Sequence, residues 1–297
     1  MGEKNKYELQ ELQGYFLSQY KNRDRVSILD LGCGTGYHLK ELSRSYKNTT
    51  GVDQSQAMID IAKKNSPDSH LVCADFMSQS LFPPDSFTHI LSYYFTIYYV
   101  KDKTTLASYV KQWLRPGGIW AVHVVNRSKF DPLLDRVSPY PAFSLQKYST
   151  NRITQSRLHF NNFSYQGRFK MIEKTTIDLM EDKGKNGVKS RFDDVTEFQE
   201  SFQFKKKGKQ TRRQIHTLYM PRIKQVIKEI ETSGLRYLGN SNLLNGGCEY
   251  QYILYFKKDR PKGISRDGSI KGLDDVVDKN KQIIRPVNDE DKNLATF

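Results

Sequence analysis

Cysteine is scarce in this chain of 297 residues, which holds three, at positions 33, 73 and 248. They are too few and too scattered for a disulfide framework or a zinc site, so ordinary thiols and no metal are expected. Long apolar runs are missing too. No stretch approaches the ~20 apolar residues that a membrane-spanning helix needs, and the longest candidate, residues 90–100, is broken by Ser92 and Thr96. The opening MGEKNKYELQ has no apolar stretch behind its charges, so no secretory signal is expected. Acidic residues are in deficit: 33 Asp and Glu stand against 47 Lys and Arg, for a net charge of +14. The absences together predict a soluble, cytoplasmic chain with no membrane partner.

What is present suffices for a core. Hydrophobic residues make up 37% of the chain, with 18 Tyr and 16 Phe, which excludes global disorder. The positive excess is uneven. Residues 131–260 hold 24 Lys and Arg against 14 Asp and Glu, whereas residues 1–130 hold 16 against 12. An anionic partner is therefore expected at the second half.

Residues 3–21 carry Tyr7, Leu9, Leu12, Tyr15, Phe16 and Tyr20 at loose helical spacing. From Val26 onward, apolar strands at 26–31, 49–52, 71–74, 87–92 and 119–125 alternate with helical segments at 37–46, after Ser55, and at 103–114. Ser55 is placed to cap its helix and Arg115-Pro116-Gly117-Gly118 to stop the last one. This alternation predicts βαβ units and a parallel sheet with helices on both faces. After Asn126 the period changes. SRLHFNNFSYQGRF (156–169) and TEFQESFQF (196–204) alternate as antiparallel strands do, and KKKGK (205–209) is placed as a hairpin tip. Helical spacing returns at 221–233, with Pro221 in the first turn and Gly234 as the stop, before strands at 235–238 and 250–256. We divide the chain into an α/β core (1–126 and 221–258), a β-rich insertion (127–220) and a disordered polar tail (259–297).

The segment ILDLGCGTGYHLKEL (28–42) carries the chemistry: a strand, Asp30, then Gly32, Gly34 and Gly36 at alternate positions, then a helix. Glycines so spaced let a ligand approach the backbone at a helix N-terminus. A dinucleotide fingerprint would need glycine where Tyr37 stands. The segment resembles the first motif of the class I S-adenosylmethionine-dependent methyltransferases, D-x-G-x-G-x-G, and the resemblance runs over residues 26–126. It implies a Rossmann-like sheet and S-adenosylmethionine as cofactor, bound by Asp30, Gly32, Gly34, Thr35 and Gly36. In GVDQSQAMIDIAKKN (51–65), Asp53 falls where the family's acidic residue binds the ribose, with Gln54 beside it and Met58 against the adenine. In LVCADF (71–76), Asp75 and Phe76 take the adenine positions, and Ser92, at the end of the fourth strand, is the last of the expected cofactor-binding residues. Cys33, inside the turn, is small filler rather than a nucleophile.

On the acceptor side, Tyr93, Tyr94, Tyr98 and Tyr99 follow the fourth strand in SYYFTIYYV. The resemblance makes Tyr93, Tyr98 and His216 the candidate catalytic residues, with Tyr15, Tyr94, Asn126 and Arg127 toward the substrate. His123 is expected at a helix interface and His89 mid-strand. The sequence lacks the N-P-P-[YF] signature of adenine and glutamine N-methylation. What the resemblance implies is methyl transfer to an amine or hydroxyl of a small molecule, anionic if it uses the insertion's charge. RNA is the alternative partner, since FTIYYV faintly resembles the cap guanine-N7 enzymes. A catalytically silent methyltransferase-like subunit is a second alternative.

Overall fold

The structure, a computed structural model, describes residues 9–10, 22–130, 153–173, 192–205, 210–246 and 248–260. Its first part alternates as the spacing predicts. Strand β1 (Ser27–Leu31), helix α1 (Tyr37–Ser43), β2 (Asn48–Asp53), α2 (Gln56–Asn65), β3 (His70–Cys73) and β4 (Phe87–Ser92) lead to a single-turn helix α3 (Thr96–Tyr99), then α4 (Lys103–Trp113) and β5 (Leu114–Val125). Next come β6 (Gln155–His159), β7 (Phe163–Glu173), β8 (Phe192–Phe204) and β9 (Thr211–Tyr219), followed by α5 (Ile223–Thr232), β10 (Arg236–Asn242) and β11 (Gln251–Lys257).

Seven strands form one sheet in the order β10-β11-β5-β4-β1-β2-β3, in which β11 alone runs antiparallel to its neighbours. The order reverses beside β1, and ligands bind outside the strand C-termini at such a switch point. The sheet is apolar on both faces because helices cover both. Leu29, Ile90, Trp120 and Leu254 enter one core together with Trp113, Val226 and Ile230, whereas Ile28, Leu91, Ala121 and Ile253 enter another with Leu42. Burying each large side chain contributes about 1.5–3 kcal/mol.

Three local features differ from the sequence expectation. β5 starts at Leu114 rather than at 119, because Leu114 pairs with Phe87 and Lys258 exchanges backbone hydrogen bonds with Gly117 and Gly118. Ser55 occupies the N-cap of α2 but its side chain makes no cap hydrogen bond; Asp53 accepts the Ser55 N–H instead. Pro221 stands ahead of the N-cap Arg222 rather than inside α5.

The second sheet, β6-β7-β8-β9, is an antiparallel meander between β5 and α5. Its inner face joins the main core through Phe130, whose ring meets Phe95 at 5.8 Å and Phe169 at 5.3 Å. Two cations fasten it. Arg127, buried, donates to Asp194 at 2.8 Å and to the Met220 carbonyl at 2.9 Å. Lys103 Nζ donates to the carbonyls of Val100 and Tyr219, both at 2.8 Å. Burial holds the Lys103 ammonium down at about 8, against the opposing pull of Glu229, Asp194 and Asp102. His123 lies not at a helix interface but within the sheet, its Nε2 3.1 Å from Gln251 Oε1 and its ring stacked on Phe95. His89 is mid-strand as expected, and burial pushes its imidazole down to about 3. No helix among the described residues is long and apolar enough to cross a membrane. The expectations for most of residues 3–21, for 206–209 of the KKKGK run and for the tail beyond 260 lie outside the described residues.

Candidate active site

β1 delivers Asp30 into the turn 32–36, and the turn is tied to β2. Gly32 and Cys33 N–H groups donate to the Val52 carbonyl at 2.8 and 3.0 Å, and Gly34 N–H donates to Asp53 Oδ2 at 3.0 Å. Two glycines matter for different reasons. Both are left-handed, with φ of 67° at Gly32 and 53° at Gly34. A Cβ on Gly32 would stand 2.8 Å from Thr96 Oγ1, so that position is fixed by packing against α3. A Cβ on Gly34 would meet nothing within 4 Å, so the backbone there faces open space at the sheet's C-terminal edge.

Asp53 ends β2 with its other oxygen accepting the Ser55 N–H at 2.9 Å. Two backbone donors thus fix the carboxylate in place, and its remaining lone pairs are left for a ligand. The field at the turn is negative. The Cys33 thiol is pushed far up, by burial first and then by the charges of Asp30 and Asp53, so it stays a thiol and is no nucleophile. Thr35 and Gln54 are exposed at this edge, and Met58, 38% exposed, stands on the first turn of α2. Asp75 is exposed after β3, its Oδ1 accepting the Met77 N–H at 2.9 Å, and Phe76 packs half-buried on the core. The residues expected to hold the cofactor therefore come together along the ends of β1, β2 and β3, beside a cradle that a side chain at Gly34 would fill. They fit S-adenosylmethionine: hydroxyls for Asp53, a purine for Asp75, Phe76 and Met58, and cationic groups for the acidic turn.

The residues expected on the acceptor side are placed less uniformly. Ser92 is buried and its hydroxyl accepts the Trp120 indole N–H at 2.9 Å. Tyr93 is buried with its ring 4.9 Å from His38. Tyr94 follows with φ of 54°, a left-handed conformation that is strained for a bulky residue and that Asp85 and Tyr250 share. Tyr98 is fully buried and its hydroxyl is engaged twice by Val125, accepting from N–H at 2.8 Å and donating to C=O at 3.3 Å. That engagement makes it a tie between α3 and β5. Asn126 closes a turn by accepting the Ser128 N–H at 3.1 Å, and Arg127 anchors the second sheet. Tyr15 lies outside the described residues. His216, on β9, meets Tyr99 from α3 and Glu200 from β8. Sequence reasoning missed Glu200, Tyr165, Lys103 and Asp194. Glu200 and Tyr165 left a trace, the first in phase with Phe198 and Phe202 and the second with Phe163 and Phe169 on alternating strands.

Residues 29–122 match a family model described as a methyltransferase domain. The chain is 30% identical over 99 residues to a trans-aconitate 2-methyltransferase of Delftia acidovorans, covering 33% of this chain and 37% of that one. It is 31% identical over 109 residues to a dTDP-3-amino-3,4,6-trideoxy-alpha-D-glucopyranose N,N-dimethyltransferase of Streptomyces venezuelae, covering 36% and 45%. These matches span less than half the length of either relative. A solved S-adenosylmethionine-dependent methyltransferase from Clostridium acetobutylicum superposes with a TM-score of 0.60 at 17% identity, covering 87% of this chain and 92% of that one. Sheet order, glycine turn and family match agree: residues 29–122 are similar to a methyltransferase domain, and the chain has the fold of the solved S-adenosylmethionine-dependent methyltransferase.

Proposed function

We propose that this chain is an S-adenosylmethionine-dependent methyltransferase acting on an amine or hydroxyl of a small molecule held between the end of β4 and the inner face of the second sheet. The observation that carries this reading is the cradle at Gly34 with Asp53 fixed beside it. When bound, S-adenosylmethionine supplies a methyl group already activated on a sulfonium. Asp53 would take the ribose hydroxyls, Asp75, Phe76 and Met58 the adenine, and Asp30 the amino-acid end. The chain's task is then to align the acceptor and exclude water, and orientation alone can supply most of the acceleration. The aromatic inner face of the second sheet, joined to Phe95 through Phe130, supports an acceptor seat on that side. The two relatives are named for small-molecule acceptors, an amino sugar nucleotide and trans-aconitate. We place the activity in a reducing cytoplasm, which suits three free cysteines.

RNA remains a second reading for one reason. Arg157, Arg168, Lys170 and Arg213 stand exposed on the outer face of the second sheet, where they would meet phosphates without regard to sequence. Transfer of labelled methyl from the cofactor into a cell extract, with and without nuclease, separates the readings. Label in the small-molecule fraction that survives nuclease supports ours; label lost to nuclease, or falling steeply with salt, supports RNA. No incorporation into any fraction would leave the chain a silent subunit.

A further inference from the structure

Four side chains distant in the chain form one hydrogen-bonded line across the junction of the two sheets. Tyr99 Oη lies 3.0 Å from His216 Nδ1, and His216 Nε2 lies 3.2 Å from Glu200 Oε2. Tyr165 Oη donates to Glu200 Oε1 at 2.9 Å. A carboxylate only accepts, so Nε2 carries the ring proton and Nδ1 presents a lone pair, to which the Tyr99 hydroxyl donates. Every bond therefore has one direction, ending on Glu200. This is the arrangement of an activated hydroxyl, a base and a group that orients the base, with a phenol as the hydroxyl.

The pleat explains why these groups meet. Phe198 pairs with His216 and Phe169, and Glu200 stands two residues on from Phe198, so aromatics and the acid share the inner face. Ile215, on the opposite face, is 67% exposed. The His216 ring stacks on Phe198 and meets Tyr99 edge-on. The titratable groups facing it are Glu200 from β8, Tyr165 from β7 and Tyr99 from α3, with exposed Arg212 further along β9. Lys103 and Arg127, buried cations of the core, are turned to backbone carbonyls and Asp194. Burial first, and the charge of Glu200 second, push both the Tyr99 and the Tyr165 phenols up, so each rests protonated. Tyr99 is 50% exposed, whereas the His216 and Glu200 side chains are 26% and 18% exposed. It is the open end of the line, one helical turn from Thr96, which packs on the Gly32 turn.

We propose that Tyr99, His216 and Glu200 form a relay that selects a cationic amine as the methyl acceptor and removes its proton before attack, a proposal that rests on the methyltransferase reading above. One N–H bond of the ammonium breaks and its proton passes to Tyr99 Oη, while the phenol's own proton passes to His216 Nδ1. The nitrogen keeps its electron pair, the phenol stays neutral, and the new imidazolium pairs with the Glu200 carboxylate, whose other oxygen Tyr165 holds. Tyr99 is the catalytic residue; His216 stores the proton, and Glu200 and Tyr165 are positioning residues. The charge of Glu200 and the faces of the surrounding rings favour a cation and oppose an anion. The acceptor site thus has the sign opposite to the chain's +14.

The NMR part of the test needs no known acceptor. In the full chain labelled with ¹⁵N-histidine, the His216 signals are identified by their loss in His216→Gln. The relay predicts a proton on Nε2 and a bare Nδ1; a proton on Nδ1 overturns it, because Tyr99 could then not pass its proton on. Glu200→Gln should shift the His216 Nε2 signal from its position in the parent, and an unmoved signal contradicts the pairing. Titrated with benzylammonium and with benzoate as probes, His216 should respond to the cation at roughly tenfold lower concentration, about 1.4 kcal/mol; equal or stronger response to benzoate overturns cation selection. In labelled-methyl transfer, His216→Gln should lose on the order of 100-fold in rate with affinity for S-adenosylhomocysteine unchanged. A parent chain that does not bind S-adenosylhomocysteine would instead refute the methyltransferase reading, leaving the NMR outcomes to decide the relay.

Discussion

In the seven-stranded sheet every residue of Phe87–Ser92 and of Gln251–Lys257 is buried, while in the four-stranded sheet Thr211–Tyr219 is largely exposed on one face and packed on the other. The first sheet holds its ligand-facing groups at strand ends, in turns such as Gly32–Gly36 that backbone hydrogen bonds fix. The second holds its groups in mid-strand, where side chains from β7, β8 and β9 bond to one another and to α3. A strand buried on both faces has no room for chemistry except at its ends. A strand buried on one face can seat a polar line among aromatics, provided each member is satisfied. The contrast is in keeping with the proposal that the cofactor binds at the first sheet and the acceptor at the second.

Mutation should separate the two sheets. Trp113→Ala, in the core beneath the first sheet, should cost about 3–5 kcal/mol in denaturant unfolding, whereas Phe198→Ala, half-buried on the second, should cost clearly less. Equal losses would mean that the second sheet is as much a part of the cooperative core. Arg127→Met should cost about 1–3 kcal/mol, because the buried Met220 carbonyl loses its donor while the half-exposed Asp194 is rehydrated. Hydrogen exchange should locate that loss in β8 and β9; uniform loss over β1 and β4 would contradict an anchor confined to the second sheet.

Protons test the same division. The His89 imidazole is held at about 3 in the fold against 6.5 outside it, so the unfolded chain takes up the proton first. Stability should therefore be intact above about pH 6.5 and fall toward pH 3, by up to about 1.4 kcal/mol per pH unit from this group. His89→Gln should flatten that slope. Lys103 works at the other end. Its ammonium is held at about 8 in the fold against 10.5 outside it, so its burial penalty is complete below pH 8 and relieved as pH rises toward 10.5. A Lys103→Met variant should lose that alkaline gain. The smallest effect belongs to Ile215→Ser on the outer face, expected within about 0.5 kcal/mol of the parent; a larger destabilisation would show that this face is covered.

The first sheet was legible because its signals are local. Asp30, the three glycines of the turn and Asp53 each sit at a strand end that apolar periodicity marks, so their meeting follows from the fold alone. The second sheet was legible as alternation, yet its pairings were not. Tyr99 and His216 are 117 residues apart, and nothing near either one specifies the other. Tyr98 and Ser92 show the complementary limit. Their place at the end of β4 and just beyond it marks them in the sequence, but only side-chain geometry shows their hydroxyls engaged by Val125 and Trp120. In the sequence Lys103 looks like a surface cation and Arg127 like a residue toward the substrate. Their targets are backbone carbonyls, which leave no mark in a sequence.

The account rests on Asp53 and the Gly34 cradle as the seat of the cofactor, and calorimetric titration with S-adenosylhomocysteine tests it most directly. The parent chain should bind saturably, and Asp53→Ala should bind at least about tenfold more weakly, a loss of about 1.4 kcal/mol or more, with thermal melts run alongside to show that the variant is folded. A folded Asp53→Ala protein with the affinity of the parent would contradict the site.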